Sequence, residues 1–354
     1  MDGCHSAEEQ VRSGVPQGSI LVPLLYIIFT NELPEVIHDH AATSTKYFSI
    51  KCRDCGNLCC YADDSTVSVT NSDPEEISSK ITEKYKAVAE YMSSNKLKLN
   101  GDKTHLMLLS SSHAWSNKLS DSSMKLNTGK EIIETSQTEK VLGVLISQNL
   151  KWTNHILLGN HGTGEGSLVK QLGKRLAALK QIRYVADFKT RKMLTNGILM
   201  SKLVYLIPVW GGCEKFLIKA LQIIQNKAAR LVTNRGIYTP AQTLLTQCGW
   251  LSVNQLVFFH TVVLLYKTMQ IQSPTYIYRM INREYGYHTR ACDAGLLRQG
   301  ANYKPSHGLN TQSFRLRSIR SWNQLPADVR NVQILSNFKT KAKDWVLKNI
   351  HLHP

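Results

Sequence analysis

Two carboxylates, Asp63 and Asp64, stand side by side in Tyr61-Ala62-Asp63-Asp64, ahead of the β-prone run Ser65-Thr66-Val67-Ser68-Val69-Thr70. Consecutive side chains of a flat strand point to opposite faces, so adjacent acids on one strand do not share a site. A tight turn between two strands removes that conflict and projects both acids toward one ion. Paired acids at a hairpin tip suit Mg²⁺ or Mn²⁺, hard cations that take carboxylate oxygens and complete their shell with substrate phosphates. The plainer reading of Asp-Asp at this place is turn chemistry alone.

Three further segments bear on that choice. Upstream runs Gly14-Val15-Pro16-Gln17-Gly18-Ser19-Ile20-Leu21, leading into Val22-Pro23-Leu24-Leu25-Tyr26-Ile27-Ile28-Phe29. Downstream come Leu97-Lys98-Leu99-Asn100-Gly101-Asp102-Lys103-Thr104 and Leu142-Gly143-Val144-Leu145-Ile146, the latter followed by Leu150-Lys151-Trp152-Thr153-Asn154-His155-Ile156. In this order and spacing the four segments resemble the reverse transcriptase of non-LTR (LINE-type, jockey-like) retrotransposons. The resemblance covers residues 11 to 156, with a looser likeness through to Trp322-Asn323-Gln324-Leu325-Pro326.

The resemblance implies an RNA-directed DNA polymerase working by two-metal phosphoryl transfer, with Asp63 as the principal Mg²⁺ ligand and Asp64 as a secondary acid. Lys103 falls where the family places a lysine near the incoming triphosphate, and its alternative is an ordinary solvated lysine. Pro16, Gln17, Gly18 and Tyr61 fall where nucleotide and template are positioned; Gly also permits close backbone approach, and a helix start favours anions. Leu142, Gly143 and Val144 correspond to the primer-grip hairpin, with Trp152 and His155 expected to pack beneath it. The implied partners are an RNA template, a DNA primer and deoxynucleoside triphosphates. The family also carries an earlier aromatic-x-x-Asp strand that supplies a third metal-binding carboxylate. Only about a dozen residues precede Gly14 here, so the expectation is a carboxy-terminal part without fingers or that first Asp, impaired in polymerisation alone. The rival expectation is a non-catalytic RNA- or DNA-binding relic of a mobile element.

Charge separates the chain into two halves. Residues 1–150 hold 14 Lys and Arg against 19 Asp and Glu, whereas residues 151–354 hold 29 against 7. Such asymmetry points to a polyanion partner for the second half. No secretory signal is visible in the polar amino terminus. The longest apolar runs, near Ile20–Phe29 and Leu256–Tyr266, fall short of the roughly 20 residues of a membrane span. A soluble intracellular protein without a membrane role is therefore expected.

The elements that must position these groups are read from period and punctuation. Ile20 to Glu32 predicts an apolar helix, and residues 35–60 a polar insertion before the Tyr61 hairpin. Asp73-Pro74-Glu75-Glu76 opens a helix with acids and Pro in its first turn. Ile77, Ile81, Tyr85, Val88 and Met92 carry its buried face to about Asn95. Leu97, Leu99, Thr104, Leu106 and Leu108 alternate as strand pieces. From Leu168 to Arg183 the period turns helical: Leu168, Leu172, Leu176 and Leu179 line one face. Lys170, Lys174, Arg175, Lys180 and Arg183 occupy the rest as a candidate nucleic-acid surface. Further helices are expected at 188–206, 215–234, 252–271 and 336–349. The fold class is thus α+β: a partial polymerase palm of ferredoxin-like βαβ elements (1–156), a helical thumb-like domain (157–275) and a basic tail (276–354).

Two features leave alternatives open. Cys52-Arg53-Asp54-Cys55-Gly56 has a zinc-knuckle spacing that His38 and His40 could complete; free or buried thiols are the other reading. In the tail, Tyr276, Tyr278, Arg279, Arg283, Tyr285, Tyr287 and Arg290 suit either phosphate pairing with base stacking or a packed subdomain. Arg315, Arg317 and Arg320 suit a strand edge or a nucleic-acid rim.

Overall fold

The computed structural model describes residues 19–37, 57–109, 124–129, 132–160, 164, 166–281, 296–297 and 313–349. The chain forms two compact units, one of Met1–Leu106 with Ala114–Ser136 and one of Met107–His113 with Gln137–Pro354. The mixture of helices and small sheets agrees with an α+β class.

In the first unit, α1 (Val22–Phe29) starts with Pro23 in its first turn, where the missing N–H costs nothing. It is shorter than the expected helix over 20–32, because the chain turns at Thr30 and restarts as α2 (Leu33–Ile37). That restart reaches into the stretch expected to be a polar insertion, since Leu33 and Ile37 are apolar and bury fully. Strands β1 (Asn57–Tyr61) and β2 (Asp64–Ser68) pair antiparallel. Helix α3 (Pro74–Ser94) begins as the sequence predicts: the Asp73 side chain accepts from the Glu75 N–H, and Glu75 and Glu76 sit in the first turn. Leu33, Ile37, Val88 and Met92 form this unit's core, with Leu58, Val67, Tyr91, Leu97 and Leu99 packed on it. Buried Lys84 donates to the Ile37 carbonyl and Tyr91 Oη donates to the Phe29 carbonyl, tying α3 to both preceding helices.

Residues 97–108 correct the strand expectation. Leu97 and Leu99 pack against the α3 core without joining a ladder, and Gly101–Lys103 is a single 3₁₀ turn. Leu106 makes an isolated parallel bridge to Thr135. Alternating apolar residues satisfy burial here without a strand partner. Strands β3 (Lys125–Asn127) and β4 (Ile132–Glu134) make a second hairpin. In the second unit β5 (Thr138–Val141) and β6 (Val144–Ser147) make a third. Among the described residues these are three separate two-stranded sheets rather than one palm sheet.

Helices build the rest of the second unit. They are α4 (Leu168–Lys180), α5 (Phe188–Thr195), α6 (Ser201–Val204), α7 (Ile207–Trp210), α8 (Lys215–Thr233), α9 (Ala241–Cys248), α10 (Val253–Ile271), α11 (Thr275–Ile281), α12 (Phe314–Gln324), α13 (Ala327–Arg330) and α14 (Leu335–Lys348). Ser167 caps α4 by accepting from the Lys170 N–H, and the four predicted leucines of α4 are buried. Ser252 and Gln255 form a reciprocal capping box at the start of α10. Around α10 gather Trp210, Leu221, Phe258, Tyr266, Trp322 and Phe338, all buried. Gly211 is required there: a Cβ would sit 2.5 Å from the Ile207 carbonyl oxygen and 2.7 Å from Val257 Cγ1. The strand-edge reading of Arg315–Arg320 is overturned, because these residues lie on helix α12. Arg317 is no rim residue either; it is buried and donates to the Pro208 carbonyl. No single described helix is long and apolar enough to cross a membrane.

Candidate nucleotidyl-transfer site and nucleic-acid interface

The acid pair sits at the tip of the first hairpin. Tyr61 pairs with Asp64 across the ladder, leaving Ala62 and Asp63 as a two-residue turn. Ala62 carries φ +51°, the left-handed value that twist-matched hairpin turns need at their first position. The turn thus resolves the strand conflict: Asp63 is in the turn and Asp64 is the first residue of β2. Strand alternation puts Leu58, Cys60, Ser65 and Val67 on the face that packs on α3, and Asp64 with Tyr61 on the other. Both acids and Tyr61 are exposed.

Helix α1 supplies a neighbour that sequence reasoning missed. The Tyr26 phenol is held above its ordinary pKa, first by partial burial and then by the charges of Asp63 and Cys60. Tyr26 therefore stands within electrostatic range of Asp63. Its signal was present in the apolar run, but as one aromatic among core-like neighbours it carried no chemical mark.

Among the described residues, no group of three or more His, Cys, Asp or Glu stands in metal-holding geometry. The donor chemistry at the tip nevertheless fits the ion expected: two hard carboxylates at a solvent-facing position suit Mg²⁺ or Mn²⁺, which takes the remaining ligands from phosphates and water. Lys103 ends the 3₁₀ turn of the same unit and is exposed. Pro16, Gln17 and Gly18, and the zinc candidates Cys52, Cys55, His38 and His40, lie outside the described residues. So do Arg283, Tyr285, Tyr287 and Arg290 of the tail.

In the second unit, Leu142 and Gly143 form the turn between β5 and β6 with φ of +48° and +80°. Positive φ at both central positions is the type I′ pattern that favours glycine. Tyr205 covers this turn. Its hydroxyl donates to the Leu142 carbonyl at 2.8 Å, and its ring lies 3.5 Å from where a Gly143 Cβ would be. The glycine here serves the turn, with Tyr205 against it. Lys202 Nζ stands 5.4 Å from the centre of the Tyr205 ring. Its pKa is lowered by burial, then by Arg175, then by Lys140, so three cations gather beside this hairpin. Sequence reasoning included Arg175 but missed Lys140, Lys202 and Tyr205, which lie on other elements.

Beneath the hairpin His155 is buried, and its Nδ1 accepts from the Leu145 N–H. Burial, then the charge of Lys202, lowers its pKa to about 4, so it is neutral at physiological pH. Trp152 meets the His155 ring edge-on at 6.3 Å.

The basic face of α4 divides. Lys170, Lys174 and Lys180 are exposed, whereas Arg175 donates to the Ile198 carbonyl and Arg183 to Asn234 Oδ1. Lys170 and Lys174 line a hollow of about 310 Å³ with Leu158, Asn160, Gly164, Gly166 and Gln171.

Comparison with known proteins bears on the choice between turn chemistry and catalytic ancestry. Residues 1–146 match the family model described as reverse transcriptase (RNA-dependent DNA polymerase). Over that segment the chain is similar to reverse transcriptases, in line with the LINE-type resemblance of its motifs. The chain is 24% identical over 257 residues to a probable RNA-directed DNA polymerase from transposon BS of Drosophila melanogaster, covering 73% of this chain and 26% of that protein. It is 24% identical over 237 residues to the RNA-directed DNA polymerase from mobile element jockey of Drosophila funebris, covering 67% and 24%. A similar level, 24% over 242 residues, holds for a probable RNA-directed DNA polymerase from transposon X-element of Drosophila melanogaster, covering 64% and 22%. The chain thus spans about a quarter of the length of these relatives. No solved structure matches it. The matched reverse transcriptase segment contains the acid hairpin, Lys103 and the Leu142-Gly143 turn, and the relatives' likeness extends beyond it.

Proposed function

We propose that this chain serves a retrotransposon RNA-directed DNA polymerase by holding an RNA template and DNA primer, with Asp63 as the principal Mg²⁺ ligand and Asp64 assisting. The observation that carries the proposal is the Tyr-Ala-Asp-Asp sequence at a two-residue hairpin tip inside the segment that matches the reverse transcriptase family. When bound, the ion would neutralise and orient the phosphates of an incoming deoxynucleoside triphosphate. Lys103 supplies a positive charge toward the leaving pyrophosphate. Pro16, Gln17, Gly18 and Tyr61 position nucleotide and template, and Leu142, Gly143 and Val144 support the primer with Lys140, Lys202 and Arg175 beside them. Residues 1–156 act as the palm part, 157–275 as a thumb and 276–354 as a basic tail. A further carboxylate beyond the Asp pair would complete a two-metal site.

The basic half gives this proposal a quantitative test. Each phosphate neutralised by a Lys or Arg releases counterions, so log K falls linearly with log salt. Fluorescence anisotropy on a recessed RNA–DNA hybrid is expected to show a steep negative slope. Lys170→Ala with Lys174→Ala should flatten that slope by about two, one for each phosphate deprived of its lysine. An unchanged slope in the double variant would remove α4 from the interface.

A further inference from the structure

Away from the acid hairpin, two surface segments of the second unit meet at the ends of helices α4 and α8. One is residues 181–187, between α4 and α5; the other is residues 234–240, between α8 and α9. Arg183 Nε donates to Asn234 Oδ1 at 2.8 Å, which joins the two directly. Buried Arg191 fixes the first segment from below, donating to the carbonyls of Arg183 and Ala186 and to that of Val232 at the end of α8. Arg230 Nη2 reaches the Ile237 carbonyl at 3.4 Å and holds the second segment back against α8. Arginine hydrogen bonds to main chain therefore brace the platform from both sides.

What this platform presents is unusual for a surface supported so firmly. Tyr184 is 83% exposed and Tyr238 94% exposed, with Val185 and Ile237 also standing in solvent. The Arg183 guanidinium lies 5.4 Å from the centre of the Tyr184 ring. Lys180, Lys189 and Arg235 are exposed on the same segments and their flanks. The only carboxylate in residues 180–192 and 230–240 is Asp187. Its oxygen is already engaged, accepting from the Thr190 N–H as the cap of α5.

Exposed aromatic rings among cations, on a braced backbone, match one ligand chemistry. Unpaired bases offer π-faces that stack on tyrosine, while the phosphates that link them pair with Lys and Arg. Paired bases within a duplex keep their faces covered, so a duplex gains only the charge component. We infer that the Tyr184–Tyr238 platform binds an unpaired stretch of nucleic acid by stacking bases on the two rings. This rests on the nucleic-acid-holding role proposed above and adds a site that handles strand outside the hybrid.

The test uses the full chain and three labelled probes in anisotropy titrations: oligouridylate, oligothymidylate and a blunt-ended RNA–DNA hybrid without unpaired bases. Both tyrosines are exposed, so Tyr184→Ala and Tyr238→Ala leave the core intact, which circular dichroism would check. Each Ala variant is expected to weaken binding of at least one single strand by about tenfold, as loss of one stacked base does. Tyr184→Phe and Tyr238→Phe keep the ring and should stay within about twofold. Hybrid binding should be unchanged in all four variants. The uridylate and thymidylate arms show whether the strand is RNA or DNA. Ala variants that bind both single strands like the wild type would overturn the inference, while hybrid binding left intact would keep the broader proposal standing. If the wild-type chain binds neither single strands nor hybrid, both fall.

Discussion

Phe338→Ala is expected to destabilise the second unit by about 4 kcal/mol. Phe338 is fully buried on α14, and its ring stacks on Tyr266 of α10 at 4.2 Å and on Trp322 of α12 at 6.0 Å. Truncation therefore removes the side chain's transfer energy, leaves a cavity among rigid rings, and loses two aromatic pairs worth roughly 0.5–1.5 kcal/mol each. Neighbouring support is stiff: Tyr266 Oη is anchored on the Val332 carbonyl at 2.9 Å, so the site collapses poorly. Urea titration followed by tryptophan fluorescence would measure the midpoint at constant slope. A loss under about 1 kcal/mol, the size of a surface substitution, would mean that α10, α12 and α14 do not pack as described.

Acid should weaken the same unit through His155. Its folded pKa is about 4, lowered first by burial and then by Lys202, against an ordinary value of 6.5. A depressed histidine favours folding while both states are neutral, above the unfolded pKa. As the pH falls below 6.5 the unfolded chain takes up the proton and the folded chain does not, so stability drops until the pH reaches about 4. At roughly 1.4 kcal/mol for each pH unit between the two values, the loss over that window is about 3 kcal/mol. His260 is lowered in the same direction, by burial and then Lys339, and adds to it. His155→Gln keeps an acceptor for the Leu145 N–H but has no proton to gain, so its stability should vary less between about pH 7 and pH 4. An identical pH profile in wild type and variant would show that His155 is not held neutral under the β5–β6 hairpin.

Much of the helical half could be read from spacing alone. Leu168, Leu172, Leu176 and Leu179 fall on one face of α4, and all four are buried. The predicted starts near 188, 215 and 252 coincide with side-chain caps or clear breaks. Asp73-Pro74 likewise marks the start of α3, because capping is local chemistry. Legibility ends where long-range pairing decides. Leu97 and Leu99 alternate like a strand, yet no ladder partner reaches them, and burial against Val88 and Met92 satisfies them instead. Arg317 reads as a surface cation from its basic neighbours, but the helical turn carries it into the core toward Pro208.

The candidate site shows the same division. The hairpin and its acids were legible because a two-residue turn and its flanking strands are encoded within a dozen residues. Tyr26 beside Asp63, Tyr205 on the Leu142-Gly143 turn and the gathering of Lys140, Lys202 and Arg175 were not. Each joins positions dozens of residues apart, and none has a spacing that a linear reading would mark.

The most direct measurement places the divalent ion. With Fe²⁺ substituted for Mg²⁺ in a complex with RNA template and DNA primer, peroxide and ascorbate generate hydroxyl radicals that cut whatever lies beside the metal. The expected result is cleavage of the chain around Tyr61–Asp64 and near Tyr26, together with cleavage at the primer 3′ end. Asp63→Asn combined with Asp64→Asn should abolish both while leaving hybrid binding in place. Cutting that is unchanged in the double variant, or that falls away from the hairpin and the primer terminus, would contradict the assignment of these two carboxylates to metal binding.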